Sequence, residues 1–392
     1  MSNLKVSLLV SDLAGGGAVR AFLLAQILLK LQCKVEVVGF MFGQELYAEP
    51  PADIPVVSIP GKTYPQFVKS ARTLLQKIDG DIIYAVKLKP TSFGLALLKR
   101  LSNRRPVLLD MDDWELSWHG GDEWRYRPSL KQLGRDILKP NGALRTPDHP
   151  LYLQWIERLA SWADAITIDT EFLRQRFGGA YVPNGKDTAL FDPAPYEPDE
   201  VRASFGLSDY RVLMFPGSPR PHKGLEDILQ ALDRLDWPDL RLAIVGGNPY
   251  DDYDDRLIQR WGRWIVKLPR RPIEQMPRAI AAAHIVVVPQ RDTPAARAQF
   301  PLKLTDGMAM AKPVLSTQVG DIPEILAGTG YLAAPSSPEQ LAEQIEWIFH
   351  HWDEATERGV QARQRCLQHY SLEAMAKTLG TTIAELKLPR QT

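Results

Sequence analysis

Residues 300–324 read FPLKLTDGMAMAKPVLSTQVGDIPE, and the stretch has the form of a helix, a buried strand and a glycine turn in succession. Leu304, Met308 and Ala311 fall on one side at helical spacing. Lys303 and Asp306 sit near the opening turn, where unpaired backbone N–H groups favour an anionic ligand. Lys312-Pro313 ends the helix and Val314-Leu315-Ser316 forms the strand. In Val319-Gly320-Asp321 the glycine lets the backbone come close to a ligand. The stretch belongs to an α/β domain, and the rest of the chain is read around it.

Upstream, Lys5 to Val10 has the pattern of a buried strand. Gly15-Gly16-Gly17 then opens a helix through Ala18, Phe22, Ala25 and Leu29, and Val35 to Phe40 makes a second strand, completing a βαβ unit. A dinucleotide site would need a third glycine where Arg20 stands and an acid at the end of the second strand, whereas Glu36 lies in its middle; this argues against nicotinamide. Strands fit Val56–Ile59, Asp81–Val86 and Pro106–Asp110, with helices near Tyr64–Ile78 and Thr91–Leu101. Between Ile82 and Leu109 six basic residues occur without an acid, which suits a solvated helix face or an anionic surface. Asp110, Asp112, Asp113 and Glu115 crowd the end of a strand, where open α/β sheets bind ligands, and such crowding calls for counter-charge, metal or functional use. Residues 114–150 form an irregular segment containing Trp114, His119, Trp124 and Arg125, with the aromatic faces and guanidinium groups that suit carbohydrate and anions; a decorative insertion is the plain alternative.

A helix over Leu151–Ala163 and a strand at Ala165–Ile168 lead to Tyr181-Val182-Pro183-Asn184-Gly185 and a Pro- and acid-rich linker at Asp192–Glu200. Strand Val212–Phe215 is followed by the loop PGSPRPHKG, residues 216–224, and a helix through Leu225, Ile228 and Leu232. Strand Leu240–Val245 ends in Gly246-Gly247; strands at Trp264–Leu268 and Ile285–Pro289 follow. The run Asp251–Asp255 reads as a helix start rather than a calcium loop, because the loop glycine is missing. Helices at Pro338–His350 and Ser371–Leu386 close the chain.

The length of 392 residues exceeds what one core usually serves, so two domains are expected. With 47 basic and 47 acidic residues there is no bulk charge to attract nucleic acid. Cys33 and Cys366 are far apart and lack metal-site spacing, in keeping with a reducing cytoplasm. No apolar run is long enough to cross a bilayer and no cleavable leader is apparent, so a cytoplasmic protein is expected, with room for peripheral attachment at the inner face of a membrane.

Four of these elements together resemble glycosyltransferase family 4, retaining enzymes of GT-B fold. They are the 300–324 stretch (P-L-K-L-x-E-x-M-A-x-G-K-P-V in the family, with Asp306 for the acid and Ala311 for the glycine), the Gly16-Gly17 loop, Val182–Gly185, and the Arg220/Lys223 loop. The resemblance spans nearly the whole chain. It implies two Rossmann-like domains facing across a cleft: residues 1–190 for the acceptor, 200–365 for the nucleotide sugar, and a C-terminal helix in 366–392 crossing back to the first domain. It implies transfer, with retention, from a nucleoside diphosphate sugar to a glycan, lipid or small molecule, in polysaccharide or glycolipid biosynthesis, without metal or other cofactor.

Residue by residue, the resemblance puts Arg220 and Lys223 on the leaving diphosphate and Asp306 on the ribose hydroxyls. Gly16, Gly17, Gly217, Gly246, Lys303, Leu304 and Gly320 complete the donor site. Asp112 stands where the family has a sugar-contacting His and joins Arg220 and Lys223 as a candidate catalytic residue, while Asp113, Trp114, His119 and Arg125 of the irregular segment are the candidate acceptor contacts. The family's first acid, eight residues before Asp306, is Ala298 here, and Asp292 in a longer loop is a candidate substitute. The two departures keep open a catalytically silent relative serving as partner subunit; a nucleotide-sugar epimerase of similar fold is the other alternative.

Overall fold

A computed structural model describes residues 4–247 and 251–386. The chain divides into two compact units, Met1–Asn184 with Met375–Thr392, and Gly185–Ala374. The final helix, Leu372–Ala384, thus begins in the second unit and continues in the first.

In the first unit, β1 (Lys5–Val10), β2 (Lys34–Met41), β3 (Val56–Pro60), β4 (Ile82–Val86), β5 (Val107–Met111), β6 (Ala165–Ile168) and β7 (Ala180–Tyr181) form one sheet in the order β3-β2-β1-β4-β5-β6-β7. Every neighbouring pair is parallel. The inner strands are apolar without alternation because helices cover both faces: β4 and β5 are buried at every residue. The strand order reverses between β1 and β4, so the loops after them flank the place where such sheets take ligands.

The second unit repeats the plan with β8 (Arg211–Pro216), β9 (Leu240–Val245), β10 (Ile265–Leu268), β11 (Ile285–Val288), β12 (Val314–Thr317) and β13 (Tyr331–Ala333), ordered β10-β9-β8-β11-β12-β13 and parallel throughout. Its reversal lies between β8 and β11. One face of the sheet packs on Leu304, Met308 and Ile325, the other on Ile228, Leu232 and Ile345.

Several boundaries differ from the sequence reading. The helix of the opening stretch is Leu302–Ala309, ended by Ala311 at φ +54°. Helix Trp352–His369 and strand β13 are additional elements; the helix is mostly exposed and polar, so its apolar period is weak. The segment after Trp114 holds a helix, Leu130–Leu138, whose Ser129 caps the amide of Gln132. The helix read over 151–163 stops at Glu157, and a helix Pro198–Ser204 begins inside the expected linker.

Candidate active site

At the carboxyl end of β8 the chain passes through Gly217 (φ +144°) into a short turn at Pro221–Lys223 and Gly224 (φ +68°), then into helix Leu225–Leu235. A Cβ on Gly224 would lie 1.8 Å from the Pro289 carbonyl oxygen, and one on Gly217 would lie 2.6 Å from Lys303 Cε, so both glycines are set by close approach. Gly246, at the end of β9, is also left-handed (φ +111°) and lies beside Gly217. Lys223 Nζ donates to Gln299 Oε1 at 3.2 Å. Arg291 braces the loop from behind: its amide donates to the His222 carbonyl at 3.0 Å, while its guanidinium grips both Asp227 oxygens and Glu226.

Arg220, Lys223 and Lys303 all act on the His222 imidazole. Burial, then the charges of Lys223, Arg220 and Lys303, push His222 down to about 3. Lys303 is itself lowered by burial, with Asp306 opposing and Lys186 assisting. Three cations from two chain segments therefore converge beside glycine-bounded strand ends, an arrangement suited to an anion.

Asp306 is buried within helix Leu302–Ala309 rather than at its cap, which is Pro301. It pairs with Lys186, whose Nζ also stands 4.4 Å over the Phe191 ring. Lys186 follows directly on Val182–Gly185, and its backbone is held by Tyr370 and Leu372. Leu304 is wholly buried in the core, leaving only its backbone to reach a ligand. Gly320 is exposed at φ +54°, with the Arg297 backbone 3.3 Å from its Cβ position. Ala298 is a core residue, and Asp292 is held by both prongs of Arg297, at 2.5 and 2.6 Å.

The acidic crowd of the first unit is resolved by buried cations. Asp110 receives Arg20 Nε and Nη2 at 3.0 and 2.9 Å, and Thr167 Oγ1 at 2.7 Å. Arg20 also reaches the Val182 carbonyl and Asn184 Oδ1, tying the glycine-loop helix to the chain after β7. Lys87 Nζ stands 3.1, 2.8 and 2.9 Å from Asp112, Asp113 and Glu115, and Lys89 takes the other Glu115 oxygen at 2.9 Å. Burial raises Asp112 to about 6, with Asp113 and Asp110 adding to it against Lys87. Burial also acts on Glu115, but Lys87 and Lys89 outweigh it and hold that carboxyl at about 2. Gly17 sits against Lys87, 3.1 Å from Cε at its Cβ position, while Gly16 is exposed with open space around it.

Trp114 is buried, donating to Glu157 Oε1 at 2.8 Å under the Arg176 guanidinium, so its indole belongs to the framework. His119 and Arg125 are exposed on the same segment. Arg20, Lys87 and Lys186 went unread as functional residues; the one sequence signal was their adjacency to the glycine loop, to β4 and to Val182–Gly185. Among the described residues no group of three or more His, Cys, Asp or Glu is placed to hold a metal ion. The Asp251–Asp255 run is a helix start, with Asp252 preceding Tyr253–Trp261 and Asp254 paired to Lys267 at 2.6 Å. Nor, among those residues, is any helix long and apolar enough to cross a membrane.

Comparison with known proteins agrees with this geometry. Residues 210–351 match the family model described as glycosyl transferases group 1. A GDP-mannose-dependent alpha-(1-6)-phosphatidylinositol monomannoside mannosyltransferase of Mycolicibacterium smegmatis is 28% identical over 330 residues, 77% of this chain and 84% of that protein. The D-rhamnosyltransferase WbpZ of Pseudomonas aeruginosa is 24% identical over 299 residues, covering 73% and 76%. The solved structure of Anabaena HepE in complex with UDP and glucose has a TM-score of 0.75 at 18% identity, over 98% of this chain and 100% of that one. Sucrose-phosphate synthase from Thermosynechococcus elongatus has a TM-score of 0.73 at 17% identity, over 98% and 99%. These likenesses show the GT-B fold. Residues 210–351 thus resemble the glycosyl transferases group 1, and the chain as a whole is similar to glycosyltransferases of that kind.

Proposed function

We propose that the second unit holds the donor diphosphate against Arg220 and Lys223, with Lys303 alongside, and that the sugar is transferred with retention of configuration. The observation that carries this is the convergence of those three cations at the glycine-bounded ends of β8 and β9. As the bond from sugar C1 to the diphosphate oxygen breaks, negative charge grows on the leaving group, and charges already in place stabilise it without reorganising. The new bond joins C1 to the acceptor hydroxyl oxygen, and the hydroxyl proton passes to the departing phosphate oxygen. No side-chain base is then required. The cations stand where a metal would neutralise phosphate, so the reaction proceeds without one.

Asp306 accepts the ribose hydroxyls and Lys186 fixes its orientation, while the backbone at Gly217, Gly246, Lys303, Leu304 and Gly320 lies along the donor. The first unit binds the acceptor, a glycan, lipid or small molecule, with Asp113, His119 and Arg125 exposed to it or near it. Asp112, raised to about 6, accepts a hydrogen bond from the reacting molecules. The protein works in the cytoplasm.

Thermal stabilisation by a panel of nucleoside diphosphates and their sugars tests the donor site, since a ligand that binds only the folded chain raises its melting temperature. A uridine or guanosine diphosphate should stabilise the wild type and fail with Arg220→Ala/Lys223→Ala. Stabilisation that survives in the double variant would overturn the assignment.

A further inference from the structure

The first unit carries an apolar cavity of about 830 Å³ that none of the site residues above lines. It is bounded by helices Phe67–Lys77, Leu95–Asn103 and Pro150–Glu157, with Ala71, Leu98, Ile137 and Trp155 among its walls. Its volume falls within the roughly 300–1,000 Å³ of small-molecule sites. Leu98 and Trp155 are 54% and 53% exposed at its mouth, and contiguous exposed apolar surface of this kind marks a binding region.

Pro90 and Pro147 line the cavity, and next to them in sequence Thr91 donates its amide and hydroxyl to Asp148 at 3.2 and 2.7 Å. Two residues before Thr91, Lys89 holds Glu115 of the Lys87 cluster.

Basic residues predominate around the cavity; Glu157, at the end of helix Pro150–Glu157, faces Trp114 and Arg176, and Arg100 pairs with Asp164 at 3.3 Å. Helix Phe67–Lys77 carries Lys69, Arg72 and Lys77 without an acid, and the six bases between Ile82 and Leu109 include Lys99 and Arg100 on the neighbouring helix. Arg72 and Arg145 line the cavity itself; Arg145 Nε donates to the Tyr64 carbonyl at 2.6 Å, while no described residue pairs with the exposed Arg72. The nearby acids Asp136 and Asp148 are buried or hydrogen-bonded within the fold, to Tyr126 and Thr91.

We propose that this groove holds the hydrocarbon chain of a phosphate-bearing lipid, with the phosphate at Arg72 and Arg145, and that the acceptor is a lipid-linked molecule of this kind. The acceptor role rests on the transferase reading; the binding does not. An apolar trough removes the chain from water while the basic rim meets the anionic head.

The test uses monomeric bromododecyl phosphate, below its micelle concentration, as a quencher of Trp155 fluorescence. Saturable quenching is expected, absent in Trp155→Phe, at least tenfold weaker in Leu98→Asp or Ala71→Phe, and several-fold weaker in Arg72→Ala or with the neutral bromododecanol. Leu98 and Arg72 are exposed, so those variants should keep the wild-type melting temperature. Quenching that does not saturate, that ignores Leu98→Asp, or that is equal for the alcohol would overturn the proposal. So would a response confined to phosphatidylglycerol vesicles, which would make the face a membrane-docking surface. Nucleoside diphosphate binding is followed in the same samples: if it persists while the groove is silent, the lipid assignment alone falls.

Discussion

Arg20 and Asp110 form a two-pronged pair in the first unit, Nε to Oδ2 at 3.0 Å and Nη2 to Oδ1 at 2.9 Å, with both side chains almost wholly buried. Arg20 stands where a dinucleotide fold has its third glycine, and the pair ties the glycine-loop helix to the end of β5. Breaking a buried pair leaves an uncompensated charge, so Arg20→Met should cost about 3–5 kcal/mol in chemical denaturation. Arg20→Lys should recover little, because an ammonium cannot reproduce the fork. An Arg20→Met loss below about 1 kcal/mol would show that the pair contributes little to stability.

If Arg220 and Lys223 hold the diphosphate as proposed, Arg220→Ala and Lys223→Ala should each weaken donor binding by about 1.5–3 kcal/mol, and turnover should fall with it. Calorimetry against the preferred nucleoside diphosphate measures this directly. Activity should also survive a chelator; loss of activity on chelation with rescue by magnesium would move attention to the carboxylates around Lys87.

Asp306 gives a sharper test. If it accepts both ribose hydroxyls, Asp306→Ala should cost about 1–3 kcal/mol with a ribonucleotide donor and less with its 2′-deoxy counterpart. Because Asp306 is mid-helix and paired with Lys186, a purely structural role would instead lower the melting temperature and affect both donors alike.

Ala311 ends the helix of the donor stretch at φ +54°, and the Cβ position of Gly359 lies 2.5 Å from its carbonyl oxygen. Ala311→Gly should stabilise the protein by up to about 1 kcal/mol, because relieving the left-handed penalty of about 1–2 kcal/mol outweighs the backbone entropy that glycine adds to the unfolded chain. Gly359→Ala should destabilise it, since helix Trp352–His369 must shift away from the turn. Melting curves of the two variants should move in opposite directions.

His222 supplies the pH dependence. Its pKa falls from 6.5 to about 3 on folding, so the neutral form contributes stability that is complete above pH 6.5 and is lost as pH falls toward 3. His222→Asn removes that loss. The melting temperature of the variant relative to wild type should therefore rise as pH falls from about 7 to about 4.5; a constant difference would mean that burial and the three cations together do not hold the imidazole neutral.

The parts of the proposed donor site that are local were legible in the sequence. Glycines at Gly217 and Gly224 bracket Arg220 and Lys223 within eight residues, and the turn at Gly320 follows its strand directly. Strands β1, β6, β8 and β9 were equally readable, since a strand buried on both faces is a short apolar run bounded by turn residues. Helix Trp352–His369 escaped because its exposed, polar surface leaves too weak a period, and the break after Glu157 because the apolar run continues beyond it.

The sequence by itself determined two parallel α/β units, a cation loop and a glycine turn, because each depends on contacts within a few residues. Only the tertiary structure decided which charge meets which. Arg20 finds Asp110 at a separation of 90 residues and Lys186 finds Asp306 at 120, and Lys87 gathers Asp112, Asp113 and Glu115 from the turn after the next strand. Such pairs leave no periodic trace: burying a charge is tolerable only beside its partner, and the parallel sheet brings the strand ends together where those partners meet.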